Sequence, residues 1–487
     1  MFSAARRHAV FLGLLAVGIG LRVVVQLAYR PAIFYSDSFR YLAGATTPHP
    51  VEHGPAGYAL FIRLLLPLDD LAVLPAANHA LGLAAGALIY LLLVRRGAWR
   101  WVAALASAPV LLDGYQLQIE QMIMSETLFT TILVGALALL VWWDQPRPLA
   151  TGTAGLLLGA AVWVRPAGLP LIAPALLYLL LAGTSWRRRV ISAGTCVVMF
   201  AFPLAGYGAW QAQARGTLGA SYTPGNVLYA RVAPIARCAV LGLPYHARPL
   251  CPRKPQGDRP NENEYFWRGP EHRYIPPPGM STEEVVNGFV LRVLARQPVA
   301  VIAAIGGDFV KFFAWERQTF GNDLPVGRWQ FQLGYPVYRA EAALPGGNDS
   351  HYRSAVDESL ARFLRAYQLG IGYTPGPLLL LAGTAGLLAA AGVGRARGTE
   401  LRAACLAWTL AGVGVLLVTN LLVFSWRYQL PALALLPVAG GLGLTAMLRK
   451  NDDRHGSGDR RRRVVRVAAG GVRRGPGGTG EAGTLGR

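Results

Sequence analysis

A group of ionisable side chains separates the first two long apolar runs of the chain. It lies between Phe34 and Leu66 and includes Asp37, Arg40, His49, Glu52 and His53. An acid held where apolar surface meets water is a candidate functional group, because burying a charge there is costly. Such a carboxylate can take a proton from an attacking hydroxyl group as a general base. Asp37 is therefore the first candidate for a catalytic residue, with helix capping as the alternative role.

Further charged residues stand at the ends of later apolar runs. Glu126 begins one run, Arg165 follows another, and Arg427 precedes the last one. The guanidinium groups suit binding of a phosphate, whereas the alternative is that they reach the membrane interface only as snorkelling side chains. Glu126 can orient a substrate or help to hold a cation, or it is an acid favourably placed at a helix N-terminus. Asp113 and Glu120 are weaker members of the same group.

Composition sets the class of protein. The chain has 487 residues, of which 53% are hydrophobic and 15% are charged, and its mean hydropathy is +0.34. Soluble domains carry about 25% charged residues. The net charge of +21 comes from arginines in short loops and in the tail, where it indicates membrane topology rather than nucleic-acid binding.

The apolar runs predict an all-α polytopic membrane protein with about ten transmembrane helices and both ends in the cytoplasm. The outward-facing loops are expected to carry amphipathic interfacial helices. The predicted spans are about 9–29, 71–94, 101–112, 126–143, 151–164, 169–182, one ending near 210, 373–392, 403–424 and 426–448.

Four regions follow from this topology. Both loops that flank residues 299–315 are predicted to lie outside, so that apolar segment is expected to rest on the surface without crossing. The regions are a catalytic module 1–210 with its first outer loop at 30–70, an extracytoplasmic region 211–372 with an interfacial helix near 299–315, a three-span module 373–448, and a disordered basic cytoplasmic tail 449–487.

The four cysteines divide into two kinds. Cys238 and Cys251 fall in one outer loop, where an oxidising compartment favours a disulfide over two free thiols. Cys196 and Cys405 lie within apolar runs and are expected to be small packing residues.

Several kinds of chemistry lack their motifs. The sequence has no Gly-rich phosphate loop, no HExxH and no CxxC pair, so nucleotide hydrolysis, zinc proteolysis and thiol redox chemistry have no support. Outside the cytoplasm there is no ATP, so an enzyme that forms bonds there needs an activated donor delivered by the membrane, typically on a polyprenyl lipid.

Five short motifs together resemble the GT-C superfamily of glycosyltransferases, of the kind related to protein O-mannosyltransferases and lipid A aminoarabinose transferases. They occur in a matching order over most of residues 11–442. They are Tyr35-Ser36-Asp37-Ser38, Gly54-Pro55-Ala56-Gly57-Tyr58-Ala59-Leu60, Ser125-Glu126-Thr127-Leu128-Phe129, Arg165-Pro166 and Trp426-Arg427-Tyr428-Gln429-Leu430-Pro431.

The resemblance implies an inverting glycosyltransferase of the plasma membrane, with its active site facing outside. It implies Asp37 as general base, and its predicted substrate-binding residues are Arg40, His53, Tyr58, Glu126, Arg165, Arg427 and Tyr428. The implied partners are a polyprenyl-phosphate-linked sugar, membrane lipid, and a glycan, lipid or protein acceptor of the cell envelope. No cofactor is certain. A divalent cation is possible, although Asp37 lacks the adjacent second acid of some mannosyltransferases.

The competing class of protein is a transporter or lipid flippase, for which internal repeats and charges at mid-membrane are expected.

Overall fold

The structure is a computed structural model that describes residues 6–48, 50, 55–182, 185–215, 224–336, 338 and 353–449. His49, Glu52, His53 and the tail beyond Arg449 lie outside the described residues. The first helices are α1 (Ala9–Ala28), α2 (Ser36–Thr46), α3 (Gly57–Leu65), α4 (Val73–Arg95), α5 (Arg100–Leu112), α6 (Gly114–Gln121), α7 (Glu126–Val141), α8 (Pro148–Val164), α9 (Ile172–Ala182) and α10 (Trp186–Arg215). They are followed by α11 (Pro224–Val232), α12 (Glu262–Arg268), α13 (Thr282–Arg296), α14 (Pro298–Lys311), α15 (Glu358–Leu369), α16 (Gly376–Ala390), α17 (Leu401–Asn420) and α18 (Leu430–Leu448).

The predicted all-α polytopic class is confirmed. The described sheet consists of β1 (Tyr29–Arg30) and β2 (Ala355–Val356), paired antiparallel with Tyr29 opposite Val356. This short ladder ties the end of α1 to the start of α15.

Each predicted span contains an apolar helix, but the helices differ in length. Among the described residues, five helices have the length and composition to cross a membrane, namely Ala9–Ala28, Val73–Arg95, Trp186–Ala214, Leu401–Asn420 and Trp426–Leu448. The helices in the other predicted spans have at most 17 residues, which is short for a bilayer core of about 30 Å. The number of ten spans therefore stays a prediction.

Close packing of α8 against α10 depends on two glycines. A Cβ atom at Gly155 or Gly159 would collide with the backbone of Cys196 or Phe200. The four-residue spacing puts both glycines on one face, so the two backbones can approach closely. Cys196 and Cys405 are buried free thiols, as predicted.

Residues 224–301 build a second apolar core that the polar sequence of this region did not reveal. Tyr229, Val286 and Phe289 are fully buried in it. The predicted disulfide is confirmed, because Cys238 and Cys251 are bonded with their Cα atoms 6.2 Å apart. The region is a folded unit rather than an open loop.

Helices α13 and α14 meet at an angle of 91°. Val299, Ile302 and Val310 on α14 are each at least 65% exposed, which suits a helix that rests with apolar residues against lipid. Taken together, α13 and α14 are also long and apolar enough to form one bent membrane span. The interfacial role of 299–315 stays a prediction.

Candidate functional site

Asp37 lies in the first turn of α2, directly after a tightly held start. Ser38 Oγ accepts a hydrogen bond from the Tyr35 backbone N–H at 3.0 Å and donates one to the Ile123 carbonyl at 3.0 Å. The N-cap residue of α2 is Tyr35, and Asp37 is an acid in the first turn, where a negative charge is favoured by the helix dipole. This position leaves the Asp37 carboxylate in contact with other charged groups.

Three distant parts of the chain bring charged groups to Asp37. Arg427 Nη1 lies 3.0 Å from Asp37 Oδ2 and 3.6 Å from Glu126 Oε1. Arg165 Nη1 lies 2.6 Å from Glu126 Oε1, and Arg40 Nη2 lies 3.6 Å from Asp37 Oδ1. We call these five residues the Asp37 cluster. Glu126 begins α7, Arg165 follows α8, and Arg427 precedes α18, so helix ends position most of the group.

Aromatic rings form the walls of the cluster. The Arg427 guanidinium lies 5.0 Å from the ring centre of Tyr428, 5.4 Å from that of Trp329 and 5.8 Å from that of Tyr35. Arg165 also lies 5.3 Å from the Tyr428 ring. Such contacts hold the guanidinium planes in fixed orientations. The sequence analysis missed the roles of Tyr35 and Trp329. Tyr35 stands in the quoted Asp37 motif, whereas Trp329 follows no pattern that separates it from other loop aromatics.

The cluster is only partly closed to solvent. The Asp37 side chain is 19% exposed and that of Arg427 is 16% exposed, whereas Glu126 is 2% exposed. Burial by itself would raise the pKa of Asp37, but the charges of Arg427 and Arg40 outweigh it and hold that pKa below its usual value. Asp37 is consequently ionised at neutral pH, and three guanidinium groups face two carboxylates. The surplus positive charge suits an anionic ligand.

Tyr58 lies beneath this cluster. Its side chain is fully buried, its hydroxyl accepts a hydrogen bond from Asn78 Nδ2 at 3.1 Å, and its ring packs edge-on against Tyr41, 4.9 Å between centres. Tyr41 in turn lies 3.1 Å from Ser125 Oγ. Tyr58 is therefore packed against Asn78 and Tyr41, and its predicted contact with substrate stays a prediction.

The donor set of the cluster does not fit a divalent cation. Both carboxylates are already paired with guanidinium groups, which would repel a metal ion. Among the described residues, no group of three His, Cys, Asp or Glu side chains is placed to hold a metal ion. The predicted residue His53 lies outside the described residues.

Glu120 does not join the Asp37 cluster. It is fully buried and accepts hydrogen bonds from Arg22 Nε at 2.8 Å, Arg22 Nη2 at 2.9 Å and Gln116 Nε2 at 2.9 Å. His79 Nδ1 lies 2.8 Å from Glu120 Oε2. We call these four residues the Glu120 cluster. Their contacts lie within the helix bundle, so they serve its packing.

Asp113 also belongs to a separate network. It caps α6 by accepting from the Tyr115 backbone N–H at 3.0 Å, and it accepts from Arg317 Nη2 at 3.1 Å and from the Thr374 backbone N–H at 2.7 Å. The Asp113 side chain is fully buried in this ion pair. The structure therefore separates Asp113 and Glu120 from the group in which the sequence analysis included them.

The chain is similar, at low sequence identity, to several solved structures. The chain is similar to the protein O-mannosyltransferase Pmt1-Pmt2 complex of S. cerevisiae bound to the sugar donor, at 13% identity and TM-score 0.35, over 48% of this chain and 37% of that chain. It is similar to the oligosaccharyltransferase of Archaeoglobus fulgidus, at 14% identity and TM-score 0.42, over 97% of this chain and 53% of that one. It is also similar to ArnT from Cupriavidus metallidurans bound to undecaprenyl phosphate, at 12% identity and TM-score 0.35, over 89% and 77%.

This chain spans 53% of the oligosaccharyltransferase chain and 37% of the mannosyltransferase chain. No protein-family model and no curated protein matches the sequence.

Proposed function

We propose that the protein is an integral-membrane glycosyltransferase that transfers a sugar from a polyprenyl-phosphate donor to an acceptor outside the cytoplasm. One observation carries the proposal: a partly exposed, ionised carboxylate, Asp37, pairs with Arg427, and Glu126 joins Arg427 to Arg165. A base next to phosphate-binding cations is the equipment that an inverting transfer from a lipid phosphate needs.

In the proposed reaction, Asp37 takes the proton of an acceptor hydroxyl as its oxygen attacks the anomeric carbon of the sugar. The bond between that carbon and the phosphate oxygen breaks, and polyprenyl phosphate leaves with the electron pair. Attack from the face opposite the leaving group inverts the anomeric configuration. Arg427 and Arg165 stabilise the negative charge that develops on the phosphate.

The Arg427–Asp37 ion pair adds a condition to this reaction. A carboxylate whose pKa is held low by a neighbouring cation is a weak base. A donor phosphate that draws Arg427 away from Asp37 would remove part of this effect, and the pKa of Asp37 would rise. We therefore propose that the donor binds first and that its phosphate activates the base.

A reconstituted assay tests the function. The full chain is placed in liposomes with undecaprenyl-phosphate-linked pentoses and hexoses and an extract of cell-envelope acceptors. We expect release of undecaprenyl phosphate, and a product whose anomeric configuration, determined by NMR, is the opposite of that in the donor. A product of retained configuration would contradict the role of Asp37 as a simple base. Movement of intact donor between leaflets without its consumption would support a flippase instead.

A further inference from the structure

A charged cavity lies at the ends of α7 and α8 that are far from the Asp37 cluster. Its volume is about 900 Å³. Helix α7 runs from Glu126 to Val141 and α8 from Pro148 to Val164, so the turn between them stands about 25 Å from Glu126 and Arg165 at 1.5 Å per residue. Positive charge in this turn and beside it marks the predicted cytoplasmic side.

Four arginines line this cavity against a single acid. The lining residues with ionisable side chains are Arg95, Arg96, Asp144, Arg147 and Arg188. Arg95 and Arg147 are held against aromatic rings, with guanidinium groups 5.2 Å from the Trp142 ring and 4.7 Å from the Trp143 ring. The first residues of α8 and α10 also lie beside the cavity, and a helix N-terminus favours anions.

Arg96 is buried, unlike the other three arginines of the cavity. Its side chain is 5% exposed, while its partner Asp144, 2.6 Å away, is 77% exposed. Its buried Nε has no hydrogen-bond partner among the described residues. A buried guanidinium with so little compensation is costly. Because Arg96 lines the cavity, an anion bound there would add a second counter-charge.

The apolar lining indicates the source of that anion. Trp142, Trp143 and Ile191 line the cavity beside the arginines, and Ile191 is 51% exposed. Apolar and tryptophan side chains in a basic pocket suit a lipid, whose phosphate enters while its acyl chains stay outside.

We propose that this cavity binds a phosphate group, supplied by the headgroup of an anionic membrane lipid. The site is separate from the Asp37 cluster, and the proposed transfer reaction does not enter the argument. Phosphate in a soluble molecule shares the same chemistry, and the experiment below distinguishes the two sources.

The test measures thermal unfolding of the purified full chain in neutral detergent during titration with short-chain phosphatidylglycerol, phosphatidylcholine or inorganic phosphate. We expect phosphatidylglycerol to raise the melting temperature in a saturable way, with little effect of phosphatidylcholine. A rise with inorganic phosphate equal to that with phosphatidylglycerol would support the phosphate site and overturn the lipid source. No saturable rise with either anion would overturn the site.

Adjacent arginines supply a matched pair of variants. Arg188→Gln removes a charge from the cavity, whereas Arg187→Gln removes the same charge one residue earlier, outside the lining. Because one arginine contact is worth about 1 kcal/mol near a membrane surface, we expect Arg188→Gln to weaken phosphatidylglycerol binding about fivefold and Arg187→Gln to change it little. The exposed Arg147→Gln serves as a second cavity variant with the same expected loss. Equal responses of all three variants would overturn the site.

Discussion

The Asp37 cluster and the Glu120 cluster contain the same kinds of side chain but differ in how completely the protein pairs them. Arg22 donates to both oxygens of Glu120 and also to the carbonyls of Gly18, Val110 and Leu111. Both partners are at most 3% exposed. In the Asp37 cluster, Arg40 Nη2 lies 3.6 Å from Asp37 Oδ1, and the Asp37 side chain is 19% exposed.

This difference separates structural charges from functional ones. A fully bonded, buried ion pair offers nothing to a ligand, and its removal affects mainly stability. A partly solvated carboxylate between cations keeps bonding capacity that a substrate can use. Four predictions test this distinction, from the largest expected effect to the smallest.

The first prediction concerns Asp37. Asp37→Asn keeps the shape of the side chain but removes the proton acceptor, so the transfer rate should fall by about 10²–10⁴-fold. The melting temperature should fall only slightly, because the ion pair that Asp37 makes with Arg427 is partly solvated. Initial rates of undecaprenyl phosphate release and a thermal melt measure the two effects. Transfer close to that of the wild type would remove Asp37 as the base.

The second prediction reverses this pattern at Glu120. Glu120→Gln leaves the buried Arg22 charge without its counter-ion, which should cost about 3–5 kcal/mol of stability. Unfolding in a denaturing detergent, followed by the loss of helical circular dichroism, measures it. The control is Asp37→Asn, which makes the same acid-to-amide change in the other cluster. Similar destabilisation by both variants would erase the distinction between the clusters.

The third prediction concerns the arginines proposed to bind phosphate. Arg427→Gln and Arg165→Gln should each weaken the binding of undecaprenyl phosphate about tenfold to a hundredfold, through loss of charge-assisted hydrogen bonds. Arg362→Gln is the control, since Arg362 is 69% exposed and pairs within α15 with Glu358. Unchanged affinity of both cluster variants for undecaprenyl phosphate would leave these arginines with the snorkelling role.

The fourth prediction concerns pH. An unperturbed aspartate has a pKa of about 3.9. Because Arg427 and Arg40 lower the pKa of Asp37 despite its burial, the acid limb of the kcat/KM profile should lie at lower pH than for such an aspartate. The stabilisation from this ion pair is present above the unperturbed pKa and is lost as pH falls through the lowered pKa. In Arg427→Gln, burial opposes the ionisation of Asp37 with less compensation, so the acid limb should move to higher pH. An unmoved limb would show that Arg427 does not control Asp37.

The sequence predicted the members of the Asp37 cluster better than its surroundings. Asp37, Arg165 and Arg427 stand at the ends of apolar runs, and the motif order indicated that they face the same side. The separate place of Glu120 depends on Arg22, a charge in the middle of an apolar helix that was visible but not paired with any acid. Trp329 reaches the cluster through an irregular loop, whose path no periodicity fixes.

The fold of residues 224–301 could not be predicted for a similar reason. Its core residues, among them Tyr229 and Phe289, are spread over short helices and turns. On α13 the buried residues Val285, Phe289 and Val293 recur at helical spacing. Tyr229 and the other core residues lie on shorter helices and turns, where no such period marks them as buried. The disulfide was predictable because two cysteines in one outer loop have few other roles.

Arg427 follows Asp37 by 390 positions in the chain, which has a consequence for how the protein is made. At about 5–20 residues per second, the ribosome adds Arg427 roughly 20–80 s after Asp37. Until then Asp37 lacks its strongest cation and Glu126 has only Arg165. The two acids are joined through one guanidinium group only when α18 docks, so a chain interrupted during membrane insertion lacks a complete site.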